Sequence, residues 1–306
     1  MMAEKTIPFF VNLPLRYIAR DSSYLEFFLR NRIHPELGID GTVLDTRDDS
    51  WHRNTAAAFH DHGLSCGVHL PFFDLQPGSV DDLIRSATRD RLAKALETAA
   101  IYRPCHLIGH FGYDAVLYSG ENVDLWMERS RDTWKEVLSS LPDHPPLYLE
   151  NVREQDPALI AEWLSLFGDP KVGFCLDAGH WFSFGRGSRK GNLNEWFECL
   201  GPFLGHVHLH DNHGDQDEHF GLGRGALPLK KLLDRIIRTG KPGITLEPHS
   251  EEDLRQTFSY FKRHPDWKDY LKGFRFSLIG WAGLTEPDRV RFPGASHKGP
   301  SKPEGR

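Results

Sequence analysis

The feature that most constrains the fold is a regular alternation of short apolar runs with longer amphipathic stretches. Eight apolar runs are predicted to be strands, at residues 9–13, 37–40, 66–70, 106–111, 147–151, 172–177, 205–211 and 243–247. Their nearly continuous apolar character is typical of parallel strands that are buried on both faces. Between them, apolar residues at helical spacing predict helices over residues 80–102, 124–141, 158–167, 227–237 and 252–263.

Eight strands that alternate with helices predict an α/β protein with a closed TIM-type (β/α)8 barrel rather than an open sheet. The chain has 306 residues, which is an ordinary size for such a barrel. We expect one barrel domain over residues 1–284. Residues 285–306 are rich in proline, glycine and basic residues and have no periodicity, so we expect them to form a disordered tail.

Composition and charge exclude several classes of protein. Hydrophobic residues make up 39% of the chain, enough for a large core, and the net charge of −6 disfavours binding of long nucleic acids through phosphate contacts. A local basic groove on an acidic protein remains compatible with that charge. No run is long enough to span a bilayer, and the four cysteines are far apart and form no CxxC pair. These features predict a cytoplasmic protein with free thiols and no membrane contact.

Metal-binding side chains follow the predicted strands at one end, where TIM barrels carry their chemistry. Strands three to eight end at His69, His110, Glu150, Asp177, His208 and Glu247. His180 follows Asp177 closely, and Asp217 and His219 lie in the loop after strand seven. Carboxylates at the edge of buried strands are costly unless cations compensate them. Imidazole and carboxylate ligands suit zinc, iron or manganese, and this set is too large for one ion with about 4 to 6 positions. It predicts two or three divalent metals that share a carboxylate.

Strand seven leaves one choice open. The motif HVHLHDNH places His206, His208 and His210 on one face by the period-two alternation of a strand, so spacing alone does not select the ligand. We expect the other nearby histidines, His106, His213 and His249, to be supporting, loop or surface residues rather than ligands.

Together these motifs resemble the endonuclease IV branch of the xylose isomerase-like TIM barrels, the AP endonuclease family 2 superfamily. Between residues 37 and 247 the chain carries that branch's pattern: a His after strands three and four, Glu after five, D-x-x-H after six, H-x-x-D on seven, D-x-H in the next loop and Glu on eight. The resemblance is weakest at the two ends of the barrel. The resemblance favours His208 as the metal ligand on strand seven.

The resemblance implies three metal sites, with zinc favoured and manganese or iron as alternatives. The first would be held by Glu150, Asp177, His208 and Glu247; the second by His69, His110 and the shared Glu150; the third by His180, Asp217 and His219. It also implies that Glu150 and Glu247 are catalytic, with Glu247 orienting or deprotonating the attacking water. Single-metal sugar isomerases of the superfamily keep mainly the first site.

Two arginines are candidates for substrate binding. Arg186 lies in the basic loop after His180, and Arg224 lies in the GLGRG segment, which does not open a Rossmann unit and is therefore expected to be a tight loop near the ligand. The first strand, FFVNLP, lacks the His-containing start of the DNA repair enzymes, and the chain has no continuous basic and aromatic stripe for a duplex.

The function implied by the resemblance is a metal-dependent phosphodiesterase. The favoured substrate is a small-molecule phosphodiester, specifically the nucleotide-loop phosphodiester of cobamides in corrinoid remodelling. The first alternative is an abasic-site DNA endonuclease, whose loops at residues 47–51 and 72–76 would wedge Trp51 and Phe72 into a duplex. The second is a sugar isomerase or epimerase with Glu150 and Glu247 as acid and base. A non-enzymatic metal-binding protein is a further alternative.

Overall fold

The computed structural model describes residues 9–240 and 242–267, and in it eight parallel strands close into a barrel. Each strand pairs with the next along the chain, and β1 pairs with β8 to complete the closure. The strands are β1 (Phe9–Pro14), β2 (His34–Gly38), β3 (Gly67–His69), β4 (Leu107–His110), β5 (Leu147–Glu150), β6 (Val172–Asp177), β7 (Leu204–Leu209) and β8 (Gly243–Leu246). The predicted (β/α)8 barrel is therefore confirmed.

Two strands differ from the sequence prediction in ways that affect the site. β2 begins at His34 and ends at Gly38, whereas the prediction placed it at residues 37–40. Pro35 and Glu36 break the apolar pattern, yet Glu36 lies inside the strand and pairs in register with Asn12 of β1. β7 ends at Leu209 rather than at residue 211, so the residues that follow it belong to the next loop.

Helices follow each of the eight strands. They are α1 (Leu15–Arg20), α2 (Ser23–Arg30), α3 (Gly41–Thr46), α4 (Asp49–Asp61), α5 (Asp82–Ile101), α6 (Asn122–Ser139), α7 (Pro157–Phe167), α8 (Ala178–Phe182), α9 (Gly187–Lys190), α10 (Leu193–Leu200), α11 (Leu229–Thr239) and α12 (Glu251–Arg263). The five predicted helices correspond to α5, α6, α7, α11 and α12, with ends that differ by one or two residues. Asp81 caps α5 by accepting from the backbone N–H groups of Leu83 and Ile84.

The other seven helices were not predicted, for two reasons. Most are short, with four to eight residues, and a single turn or two gives little periodic signal. The longest, α4, has the sequence DSWHRNTAAAFHD, in which only Thr55, Ala56, Phe59 and the imidazole of His52 are buried. His52 is held there by the hydroxyl of Tyr102 at 2.7 Å, a contact that the local sequence does not reveal.

Large aromatic side chains fill the layer between strands and helices. Trp126 and Trp163 are buried against Phe111 at the end of β4, with ring centroids 5.2 and 5.7 Å from it. Within the described part of the chain, no helix is both long and apolar enough to cross a bilayer. The predicted tail at residues 285–306 lies outside the described residues, and the predicted domain over residues 1–284 lies partly outside them.

Candidate metal centre

All nine predicted ligands lie at the end of the barrel where the strands finish. His69, His110, Glu150 and Asp177 are the last residues of β3, β4, β5 and β6. His208 lies one residue before the end of β7, and Glu247 follows β8 directly. His180 lies in the first turn of α8, where its backbone N–H donates to Asp177 Oδ1 at 2.6 Å. Parallel strands bring these carboxyl ends together, so the side chains share one buried space.

The first group comprises Glu150, Asp177, His208 and Glu247. His208 Nδ1 lies 3.3 Å from Glu247 Oε1, 3.5 Å from Glu150 Oε2 and 4.0 Å from Asp177 Oδ2. All four residues are buried, and His208 Nδ1 has no hydrogen-bond partner. Asn12 of β1 donates to Glu247 Oε1 at 3.3 Å and so orients this carboxylate.

The second group comprises His69, His110 and Glu150. The Nε2 atoms of His69 and His110 lie 3.0 and 3.6 Å from Glu150 Oε2. Glu150 therefore faces both groups, as the sequence analysis expected of a shared ligand. Phe72 covers the solvent side of this group by stacking on the His110 ring, with centroids 4.1 Å apart.

The third group comprises His180, Asp217 and His219. Asp217 Oδ2 lies 3.2 Å from His180 Nε2 and 2.9 Å from His219 Nε2. Asp217 and His219 belong to the loop after β7, which a bridge between Asp211 and Phe220 ties to the barrel. Asp211 is an anchor of this loop, because its carboxylate accepts from the N–H groups of Asn212, Gly223 and Leu227.

Backbone carbonyls fix the tautomers of three of these imidazoles. The Nδ1–H groups of His69, His180 and His219 donate to the carbonyl oxygens of Leu70, Asn151 and Glu247 at 2.9, 3.0 and 2.8 Å. A carbonyl only accepts, so each Nδ1 carries a proton, and each Nε2 is the ring nitrogen left to bind a metal. Metal-binding histidines in proteins are typically oriented in this way.

Charge also favours cations in this space. Glu150, Asp177, Asp217 and Glu247 converge here, and all but the partly exposed Asp217 are buried. Burial raises the pKa of Glu247, and the negative charges of Glu150 and Asp177 raise it further. Buried like charges of this kind need compensation by cations. The donor set, the oriented imidazoles and the unpaired His208 Nδ1 and Asp217 Oδ1 thus fit divalent metals.

A polar layer beneath the first group was missed by the sequence analysis. Glu36 is fully buried in β2, with Oε1 3.0 Å from His208 Nε2. Its Oε2 accepts from Thr245 Oγ1 and lies at the same distance, 2.7 Å, from His106 Nε2. Burial opposes ionisation of Glu36, but His208 and His106 outweigh it and hold the pKa well below the usual range. The only signal in the sequence was a charged residue beside an apolar run.

His210 is the second residue that the sequence analysis did not place. It is buried just after β7, with Nε2 3.1 and 3.2 Å from the two oxygens of Asp177 and 3.6 Å from Asp217 Oδ1. The period-two pattern did put it on the same face as His208. The three alternating histidines thus occupy three levels: His206 lies in the layer with Glu36, His208 in the first group, and His210 beside the third.

The remaining candidates make other contacts. Arg186 is exposed at the start of α9, in a left-handed conformation with φ of 60°. Arg224 pairs with Asp253 at 2.8 Å and covers the Phe220 ring at 4.8 Å. His213 is exposed and lies 3.0 Å from Glu218 Oε2, and exposed His249 stacks on His219 with centroids 3.9 Å apart. The substrate-binding roles of Arg186 and Arg224 stay predictions.

The profile of the xylose isomerase-like TIM barrels matches residues 33–271, most of the chain. The chain belongs to this family. A relative in Mycobacterium tuberculosis, named probable endonuclease 4, is 27% identical over 66% of this chain and 81% of its own length. The Methanocaldococcus jannaschii protein MJ1311 is 28% identical over 58% of this chain, and the alignment spans 61% of that relative.

Solved structures of other proteins share this fold. The TTHB071 protein of Thermus thermophilus, from crystals soaked with ZnCl2, has a TM-score of 0.65 and 25% identity, covering 84% of this chain and 97% of its own. A D-tagatose 3-epimerase-like protein has a TM-score of 0.68 over 87% of this chain and 97% of its own, but 23% identity shows the fold alone. Family membership therefore supports a metal-dependent TIM-barrel enzyme and leaves hydrolysis and epimerisation as its two reaction classes.

Proposed function

We propose that the chain is a metal-dependent phosphodiesterase that holds three divalent ions, with zinc favoured. The observation that supports this most is the third group, in which His180 and His219 direct Nε2 at Asp217. This group is present in addition to the complete first and second groups. An isomerase of the superfamily needs mainly the first group. Bound ions would act as Lewis acids and lower the pKa of water to near neutrality.

The protein's own contribution is to position the reactants and accept a proton. Asn12 holds Glu247 through Oε1, and this carboxylate would orient the attacking water and take its proton. Glu150 is shared by the first two groups and fixes their separation, so both catalytic roles depend on the buried frame of strands.

For the substrate we favour a small or medium-sized phosphodiester, with the nucleotide loop of cobamides as the specific candidate. Three basic side chains of the segments after β6 and β7 are already engaged: Arg189 pairs with Asp215 at 3.0 Å, Arg224 with Asp253, and Lys190 donates to the carbonyl of Gln155. With a net charge of −6, this arrangement favours a compact substrate over a long polyanion.

An abasic-site DNA endonuclease is the second candidate, and one surface favours it. Phe73 is 72% exposed beside Phe72, which stacks on His110, so two aromatic rings border the second group. Such rings can stack on bases or enter a duplex. Similarity to a probable endonuclease 4 is consistent with this use. Trp51 is less suited, since it is partly buried and packs on the core.

A panel of substrates tests the proposal. Zinc-loaded full-length protein would be assayed on bis(4-nitrophenyl) phosphate, a cobamide and an abasic duplex, and on ketose pairs for epimerisation. We expect phosphodiester hydrolysis that falls at least about 100-fold in Glu247→Gln. Cleavage of the duplex with steep salt dependence would select the DNA candidate. Epimerisation without hydrolysis would overturn the proposed reaction.

A further inference from the structure

His210 reaches the same space as the third group. Its Nε2 lies 3.6 Å from Asp217 Oδ1, a buried atom without a hydrogen-bond partner. The ligand atoms of His180, His210, Asp217 and His219 all lie within 4.8 Å of one another. Ligand atoms about 2 Å from a tetrahedral zinc are roughly 3 to 3.5 Å apart. The imidazole nitrogens of His210, His180 and His219 lie at 3.6, 3.2 and 2.9 Å from Asp217 oxygens, close to that spacing.

The fold holds the His210 ring in this position by packing. One face stacks on His219, with centroids 3.8 Å apart and planes inclined by 8°. The other side lies against Gly179 in α8, where a Cβ atom would overlap the imidazole. Gly179 has no positive φ, so its backbone does not require glycine, and glycine within a helix is destabilising by roughly 0.5–1 kcal/mol relative to alanine. The space that Gly179 leaves is used by His210.

The contact of His210 with Asp177 alone does not account for this arrangement. His210 is 1% exposed, and its Nε2 lies between carboxylates of two different groups, Asp177 and Asp217. A hydrogen bond from Nε2 to Asp177 would leave both Asp217 Oδ1 and His210 Nδ1 buried and unpaired. An ion on Nε2 would satisfy Asp217 Oδ1 as well, which lowers the number of unpaired buried atoms.

We propose that His210 is a fourth protein ligand of the third metal group. The proposal rests on the proposed function only in that the third group holds an ion. Three imidazoles and one carboxylate would form a tetrahedral shell of the kind that zinc favours. The third ion would then be held tightly and would be selective for zinc over manganese.

The test compares His210→Asn with His249→Asn, a matched control on the opposite face of His219. Zinc affinity of the full-length protein is measured by competition with a chromophoric chelator, and the third ion is identified as the one absent from His219→Ala. Loss of a supporting residue costs roughly 10- to 100-fold in metal affinity. We therefore expect His210→Asn to weaken the third ion by more than about 100-fold and His249→Asn to leave it unchanged.

Cobalt substitution gives a second readout that does not depend on activity. We expect the visible absorption of cobalt in the third group to show four-coordination in the wild type and to lose it in His210→Asn. Gly179→Ala, which displaces the ring without removing it, should produce the same loss if His210→Asn folds poorly. Weakening of the first ion with an unchanged third ion would overturn the proposal, since His210 would then only orient Asp177.

The outcomes also separate this proposal from the proposed function. Intact hydrolysis with an unchanged third ion in His210→Asn would overturn the fourth ligand alone. A wild-type chain that holds no ion lost in His219→Ala would overturn both. Absence of hydrolysis on every phosphodiester, with a third ion that requires His210, would overturn the proposed reaction and support the fourth ligand.

Discussion

The first and third groups use the same residue types but are built on different parts of the molecule. The first group is carried by strands β5, β6 and β7 and by the residue after β8, so the barrel fixes the backbone positions of its residues. The third group combines one short helix, α8, with a loop that Asp211 anchors through three backbone N–H groups. Asp217 and His219 are also partly exposed, whereas the first group is buried.

This difference indicates that the first group is a fixed centre built into the barrel, whereas the third group is added to it by a loop. Strand-borne residues present a centre that the barrel alone can support, and a loop can then add a further group without disturbing it. We therefore expect changes in the loop to remove the third ion selectively. Changes in the strands should remove ions from the first two groups and leave the third intact.

Replacement of Glu150 by Gln should have the largest effect, because this carboxylate faces both strand-borne groups. The change keeps the size of the side chain and removes the charge that faces His69, His110 and His208, and also the Glu150 Oε1 charge 3.1 Å from His180 Nδ1. We expect the metal content to fall by about two ions per chain and hydrolysis to fall about 1,000-fold or more. Elemental mass spectrometry and the phosphodiester assay measure both.

Glu154→Gln is the matched control for that change. Glu154 is a buried acid four residues further along, and its carboxylate accepts from the backbone N–H groups of Tyr113 and Val152. This variant should retain the wild-type metal content. Full metal content in Glu150→Gln would contradict a shared carboxylate and with it the fixed centre.

Replacement of His219 by Ala should have a smaller and more selective effect. The change removes Nε2 from Asp217 and the Nδ1–H that donates to the Glu247 carbonyl. We expect one ion to be lost, the other two to remain, and hydrolysis to fall about 100-fold. An unchanged metal content would show that the third group holds no ion, and retained epimerisation of a ketose would indicate an isomerase.

Replacement of Glu36 by Gln tests whether the strand-borne centre depends on the layer beneath it. Glu36 Oε1 faces His208 Nε2, and so keeps Nδ1 directed to the first group. We expect the affinity of the first ion to fall about 10- to 100-fold, as for other residues that orient a ligand, with the third ion unchanged. Competition with a chelator measures both. Equal loss from the two groups would indicate a general loss of structure instead.

Comparison of the two groups also explains what the sequence could predict. The eight strands were predicted because each is a nearly continuous apolar run, and their ends marked the ligands. Glu36 was missed because Pro35 and its own charge interrupt that pattern, while His106 and His208, which stabilise it, are distant in sequence.

His210 stayed undecided because alternation puts it on the same face as His208. Only the end of β7 and the positions of Asp177 and Asp217 in space distinguish the two.

The three groups should also differ in the pH dependence of metal binding, although by less than the variants above change the metal affinity. Burial alone would lower the pKa of His180 and His208, but the carboxylates that face them raise it well above the usual value. Burial lowers the pKa of His110 to about 3. At neutral pH an ion must therefore displace protons from His180 and His208 and none from His110.

The direction of the pH dependence follows from these pKa shifts. A proton that is held more tightly competes more strongly with the metal, so affinity for the first and third ions should rise with pH through the neutral range and fall as pH decreases. Each proton released contributes up to about a factor of 10 per pH unit. Competition titrations at pH 6, 7 and 8 measure the slope. His110→Asn should weaken the second ion without flattening the pH slope of its binding, whereas a flatter slope for this ion in the variant would show that His110 is protonated at neutral pH.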